Sequence, residues 1–130
     1  MRLFTRDEAN ALLAEVRPLA EQLVERKRSL DEAEAARAAL LARIAGNGGD
    51  LTPSDVGEAV ERLSLAAGAV ARLVDELQEL GVQVKDLDLG LLDFPSELEG
   101  DVVLLCWRVG EDEIEYWHGV DEGFAGRKPL

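Results

Sequence analysis

The 130-residue sequence has one cysteine, one histidine, one methionine and four prolines. A lone cysteine, Cys106, excludes an intramolecular disulfide and suits a reducing compartment. No apolar run approaches the ~18 residues of a spanning helix, and Met1 to Thr5 leads directly into a polar amphipathic stretch with no apolar signal region. The expectation is a cytoplasmic protein with neither export signal nor membrane span. Basic residues are also scarce: 14 Lys and Arg stand against 27 Asp and Glu, a net charge of −13. The shortfall is local, because Asp75 to Gly126 holds 2 basic and 15 acidic residues whereas Met1 to Val74 holds 10 and 12. An acidic half of this kind repels phosphate backbones, so no nucleic acid is expected there, while cations or a basic protein face are favoured. The same excess of acids serves solubility.

What is present is apolar patterning. Hydrophobic residues make up 47% of the chain, enough for one globular domain over residues 1–130, divided into a helical hairpin (1–81) and an acidic β segment with a C-terminal tail (82–130). Thr5 and Glu8 have the spacing of a capping box at the start of a helix. From there Ala9, Leu12, Val16, Leu19, Leu23, Arg26, Leu30, Ala33, Arg37, Leu40 and Ile44 repeat at alternating three-four spacing, a coiled-coil-like seam. The glycine-rich segment 46–50 predicts a reversal, and Thr52-Pro53-Ser54-Asp55 a second helix start. Val56, Val60, Leu63, Ala67, Val70, Val74 and Leu77 then extend the seam to a stop at Gly81. A short reversal pairs positions whose numbers sum to roughly 98–100, which sets Arg37 near Glu61 and Leu80 level with the helix-bending Pro18. The first helix then overhangs the second, and the remainder of the chain is expected to cover it.

That remainder reads as a small antiparallel β-meander packed on the open end of the hairpin. Asp101 to Val109 alternates as a strand, Gly110-Glu111-Asp112 turns, and Glu113 to Trp117 returns. A strand within Val82 to Phe94 precedes them, ending at Pro95, with Ser96 to Gly100 as the connecting turn. The fold class is α+β.

Several segments carry a family likeness: Phe4-Thr5, Glu8-Ala9-Asn10, Val16-Arg17-Pro18-Leu19, Gly90-Leu91-Leu92-Asp93-Phe94-Pro95, Leu105-Cys106-Trp107-Arg108, Tyr116-Trp117-His118 and Gly123-Phe124-Ala125-Gly126-Arg127. On these residues the chain resembles the bacterial family catalogued as domain of unknown function 2203, over almost its whole length. The resemblance implies no activity.

Two constellations are candidate sites. Asp86, Asp88, Asp93, His118 and Asp121 offer hard oxygens and one imidazole, a donor set that suits Mg²⁺, Mn²⁺ or Ca²⁺, although exposed acids commonly face only water. Trp107, Trp117, His118 and Arg127 are candidates for lining a small-molecule pocket, the tryptophans as its apolar wall; both tryptophans are equally suited to the core. Cys106 sits in a predicted strand between Leu105 and Trp107, where burial and negative neighbours disfavour the thiolate that nucleophilic chemistry needs. Unbroken seam spacing, with no catalytic motif, makes a non-enzymatic interaction or dimerisation module the leading expectation, a homodimer or a complex with a partner helix. The alternative is a small ligand-binding protein or divalent-metal-assisted enzyme using the acidic, aromatic C-terminal segment.

Overall fold

A computed structural model describes residues 1–46 and 50–130. Two helices, α1 (Arg6–Gly46) and α2 (Pro53–Glu79), precede strands β1 (Gln83–Asp86), β2 (Leu91–Leu98), β3 (Asp101–Arg108) and β4 (Tyr116–Gly119). A 3-10 turn (Phe124–Gly126) and a two-residue strand, β5 (Lys128–Pro129), complete the chain. The strands form one antiparallel sheet in chain order, so the architecture is α+β. No helix of the described residues is long and apolar enough to cross a membrane.

Local chemistry explains the helix ends. The Glu8 amide donates to Thr5 Oγ1 at 3.1 Å, and the Thr5 amide donates to Glu8 Oε1 at 2.9 Å. These bonds hold the Glu8 carboxyl below its usual range. Thr52 and Asp55 cap α2 in the same reciprocal way, with Pro53 following. At the far end Gly81, at φ 93°, lets its own amide reach Gln78 O and the Val82 amide reach Leu77 O, the paired bonds of a left-handed helix stop. The expected reversal falls largely on residues 47–49, outside the described residues.

Helix α1 continues through Pro18. Its deepest residues are Ala9, Leu13, Val16, Ala20 and Leu23, while Leu12, Leu19 and Leu30 pack at the margin. The N-terminal half is gripped by α2 on one side and the sheet on the other, so its apolar stripe is wider than a two-stranded seam. Along α2 the inward positions include Val56, Ala59, Leu63, Ala66, Val70, Leu73, Val74 and Leu77, whereas Val60 and Ala67, expected in the seam, face solvent. Alternating spacing through 56, 63, 70 and 77 is compatible with either set of intermediate positions. The small side chains of Ala59 and Ala66 are the ones that allow the helices to approach. Arg26 and Arg37 are exposed. At the distal end Ala36, Leu40 and Arg43 share one cleft with Arg62, Ala59 and Asp55, the antiparallel register expected of a short reversal.

The β segment has two strands before β3 where one was expected. Asp86 Oδ1 accepts from the amides of Asp88 and Leu89, a side-chain-closed turn that separates β1 from β2. Pro95 lies inside β2 opposite Leu104 and does not end it. Its missing N–H faces the β1 side, beyond the end of that strand, where its carbonyl instead accepts from the Phe4 amide at 2.7 Å. The β2–β3 connection is a two-residue turn, Glu99 and Gly100, both at positive φ, the geometry that matches the twist of paired strands. The returning strand is Tyr116–Gly119, with Ile114 buried ahead of it.

One face of the sheet carries Leu92, Phe94, Leu105 and Trp107 into the core, against Leu13, Val16 and Leu23 of α1 and Val70, Leu73 and Leu77 of α2. Phe4 meets Phe94 edge to face at 5.5 Å. Arg17 reaches across to the Glu111 and Asp112 carbonyls at 2.7 and 2.5 Å while lying over the Trp107 ring. The sheet therefore covers the overhanging half of α1, with Val16 buried and Leu12 packed against the core.

Candidate functional site

Because side chains alternate along a strand, the residues between the core positions point to the opposite face of the sheet. Asp93 pairs with Cys106 across β2 and β3, and Cys106 pairs with Tyr116 across β3 and β4. His118, two residues beyond Tyr116, therefore stands diagonal to Cys106 on the same face. The ligand-capable atoms of Asp93, Cys106 and His118 lie within 4.8 Å of one another. The three residues are 1%, 0% and 3% exposed. The C-terminal segment lies against this face: the Arg127 guanidinium stacks on Tyr116 at 4.1 Å and Phe124 at 4.7 Å. It also donates to Glu111 Oε1 at 2.7 Å and to the Cys106 carbonyl at 3.3 Å.

His118 Nδ1 lies 2.8 Å from the Gly119 carbonyl oxygen, and Nε2 lies 3.0 Å from Asp93 Oδ1. A carbonyl only accepts, so Nδ1 carries the hydrogen. Nε2 is then the ring atom that faces the Asp93 carboxylate. Burial first, and then the Asp93 charge, push the Cys106 thiol up to about 11, with the nearby Arg127 guanidinium opposing them. Such a thiol is a poor nucleophile at neutral pH.

The other expected site residues lie elsewhere. Asp86 closes its turn, and Asp88 pairs with Lys27 at 3.0 Å. Asp121 is exposed; among the described residues none of these three joins the buried group. Trp107 is in the core with its Nε1 donating to the Glu111 carbonyl. Trp117 sits opposite Leu105, packed against that core under Lys128. The tryptophans therefore face the helices, while His118 and Arg127 are on the other side of the sheet. Cys106 as a partner of Asp93 and His118 was absent from the expected metal set. A two-residue turn at Glu99-Gly100 is the signal that reveals it, since that turn fixes a register in which Asp93 faces Cys106.

A second feature is at the opposite end. The fully buried residues of α1 are Ala9, Leu13, Val16, Ala20, Leu23 and Ala33, and those of α2 are Val70, Leu73 and Leu77. Between Ala33 and Val70 no described residue is fully buried. This arm, about 20 Å long at the rise of an α-helix, exposes Leu41, Ile44, Val60 and Leu65 by 44% to 69%.

Residues 2–130 match the family described as an uncharacterised conserved protein, domain of unknown function 2203. No curated protein and no solved structure matches the chain.

Proposed function

The chain belongs to the domain of unknown function 2203 family, whose description assigns no activity, and we propose that it is a non-enzymatic interaction module that pairs with a second copy of itself through the hairpin arm. The observation that carries this reading is the arm without a core. Two helices touching along one alanine-rich line bury too little apolar surface to be stable alone, and an antiparallel pair of such hairpins makes a four-helix bundle in which Leu41, Ile44 and Val60, on one flank of the arm, gain cover. Catalysis at the sheet end has less support, because Asp93, Cys106 and His118 are sealed from substrate. A single buried thiol fits a cytoplasmic protein.

Light scattering coupled to size exclusion tests self-pairing. The expected result is two chains per particle, reduced to one by Leu41→Glu combined with Val60→Glu, with the helical circular dichroism of the sheet end retained. A wild-type protein that stays monomeric at high concentration overturns self-pairing, and a captured helix from another protein would then take the place of the second copy.

A further inference from the structure

We propose that Asp93, Cys106 and His118 form a closed binding site for one thiolate-accepting divalent ion of the zinc class, fastening β2, β3 and β4 together. Each ligand comes from a different, adjacent strand, and the register holds all three side chains on one face. Their donor atoms already lie within 4.8 Å of one another, a spread that small side-chain adjustments bring to the bond lengths of about 2.0 to 2.3 Å typical of zinc. Three protein donors leave one of zinc's four positions to a water, and residues this deeply buried keep that position closed to substrate.

The orientation of His118 fits a ligand role. The Gly119 carbonyl accepts from Nδ1 of His118 and turns Nε2 toward Asp93. This backbone-anchored tautomer is the second contact that orients metal-binding imidazoles. Nε2 and Asp93 Oδ1, 3.0 Å apart, share a proton in the metal-free protein, and a bound metal ion would take that proton's place.

Charge balance permits the same ion. With a proton between Asp93 and His118 and a second on the Cys106 sulfur, the group is neutral. Replacing both protons by one divalent ion, bound to the thiolate, the carboxylate and the neutral imidazole, leaves it neutral again. One ion enters and two protons leave, so the low-dielectric interior gains no net charge. The neighbouring charges of Arg127 and Glu111 are paired with each other at 2.7 Å. A sulfur among the ligands selects zinc, cobalt or ferrous iron over Mg²⁺, Mn²⁺ or Ca²⁺.

Cobalt(II) is the probe, added to the full chain purified under reducing conditions with its metal removed. The expected result is one ion per chain and a thiolate-to-cobalt charge-transfer band in the near ultraviolet. Zinc should displace that band stoichiometrically, while a large excess of Mg²⁺ should leave it in place. Cys106→Ser abolishes the band, and Asp93→Asn or His118→Gln weakens cobalt binding at least 100-fold, while Asp88→Asn and Asp121→Asn leave it unchanged. X-ray absorption of the zinc-loaded wild type, which needs no variant to fold, gives one sulfur neighbour beside nitrogen and oxygen. A folded wild type that takes up no cobalt overturns the site, as does cobalt uptake with only oxygen and nitrogen neighbours, which would place the ion on surface carboxylates.

Discussion

Cys106 illustrates how a single buried residue ties the fold to pH. Its thiol is raised to about 11 by burial and by the charge of Asp93, whereas in the unfolded chain it titrates near about 8.5. Below that unfolded value both states hold the proton and the linkage costs nothing. Between the two values the native state keeps a proton that the unfolded state has released, so stability falls as pH rises toward 11. For the metal-free protein the loss is on the order of 2 to 3 kcal/mol, measured as the urea unfolding free energy at about pH 8 and about pH 11. In Cys106→Ala that part of the slope should vanish. Gly90 supplies a second test at this scale. It sits at φ 64°, and a Cβ there would fall 2.4 Å from Val109 Cγ2 and 2.9 Å from Val24 Cγ2. Both neighbours are stiff β-branched side chains. Gly90→Ala combines left-handed strain with overpacking, and it should lower stability by about 2 to 4 kcal/mol in the same urea assay.

Among the elements, the join between α1 and the β3–β4 connection rests on Arg17, whose guanidinium holds two loop carbonyls and lies over Trp107. Arg17→Ala leaves those carbonyls without their charged donor. It should cost about 2 kcal/mol and alter Trp107 fluorescence, because the Glu111 carbonyl that Arg17 binds also accepts from the indole. How far such joins can be read from sequence depends on whether the signal is local. The capping boxes at Thr5 and Thr52 and the stop at Gly81 involve residues a few positions apart, and all three stand where their residue types place them. The inward face of α2 was harder, since Val60 and Ala59 are both apolar and only the partner helix decides between them. Pro95 suggested a strand end because its tolerance depends on Phe4, far away in the chain. The meeting of Asp93, Cys106 and His118 likewise depends on register across three strands. Alternation assigns each side chain a face within its own strand and says nothing of which residue lies opposite.

At the scale of the whole molecule the two ends have opposite characters. The sheet end holds nearly all of the buried apolar side chains and the sealed polar group, whereas the arm holds exposed leucines and valine over an alanine line. If the arm serves association and the sheet end carries the fold, the two should be separable. Replacing residues 34–65 by a short glycine-containing turn removes no fully buried side chain among the described residues. It leaves Leu13, Val16 and Leu23 packed on Leu73 and Leu77. Shortening the connection also lowers the entropy of closing the hairpin, which offsets part of the stabilisation that the arm's helix–helix packing supplied. The shortened chain should therefore keep a cooperative thermal transition and the near-ultraviolet circular dichroism of Trp107, and it should run as a monomer under conditions in which the proposed pairing of the full chain is measured. Loss of the tryptophan signal on shortening would mean that the arm stabilises the core across its length, and that association and folding are one event in this protein.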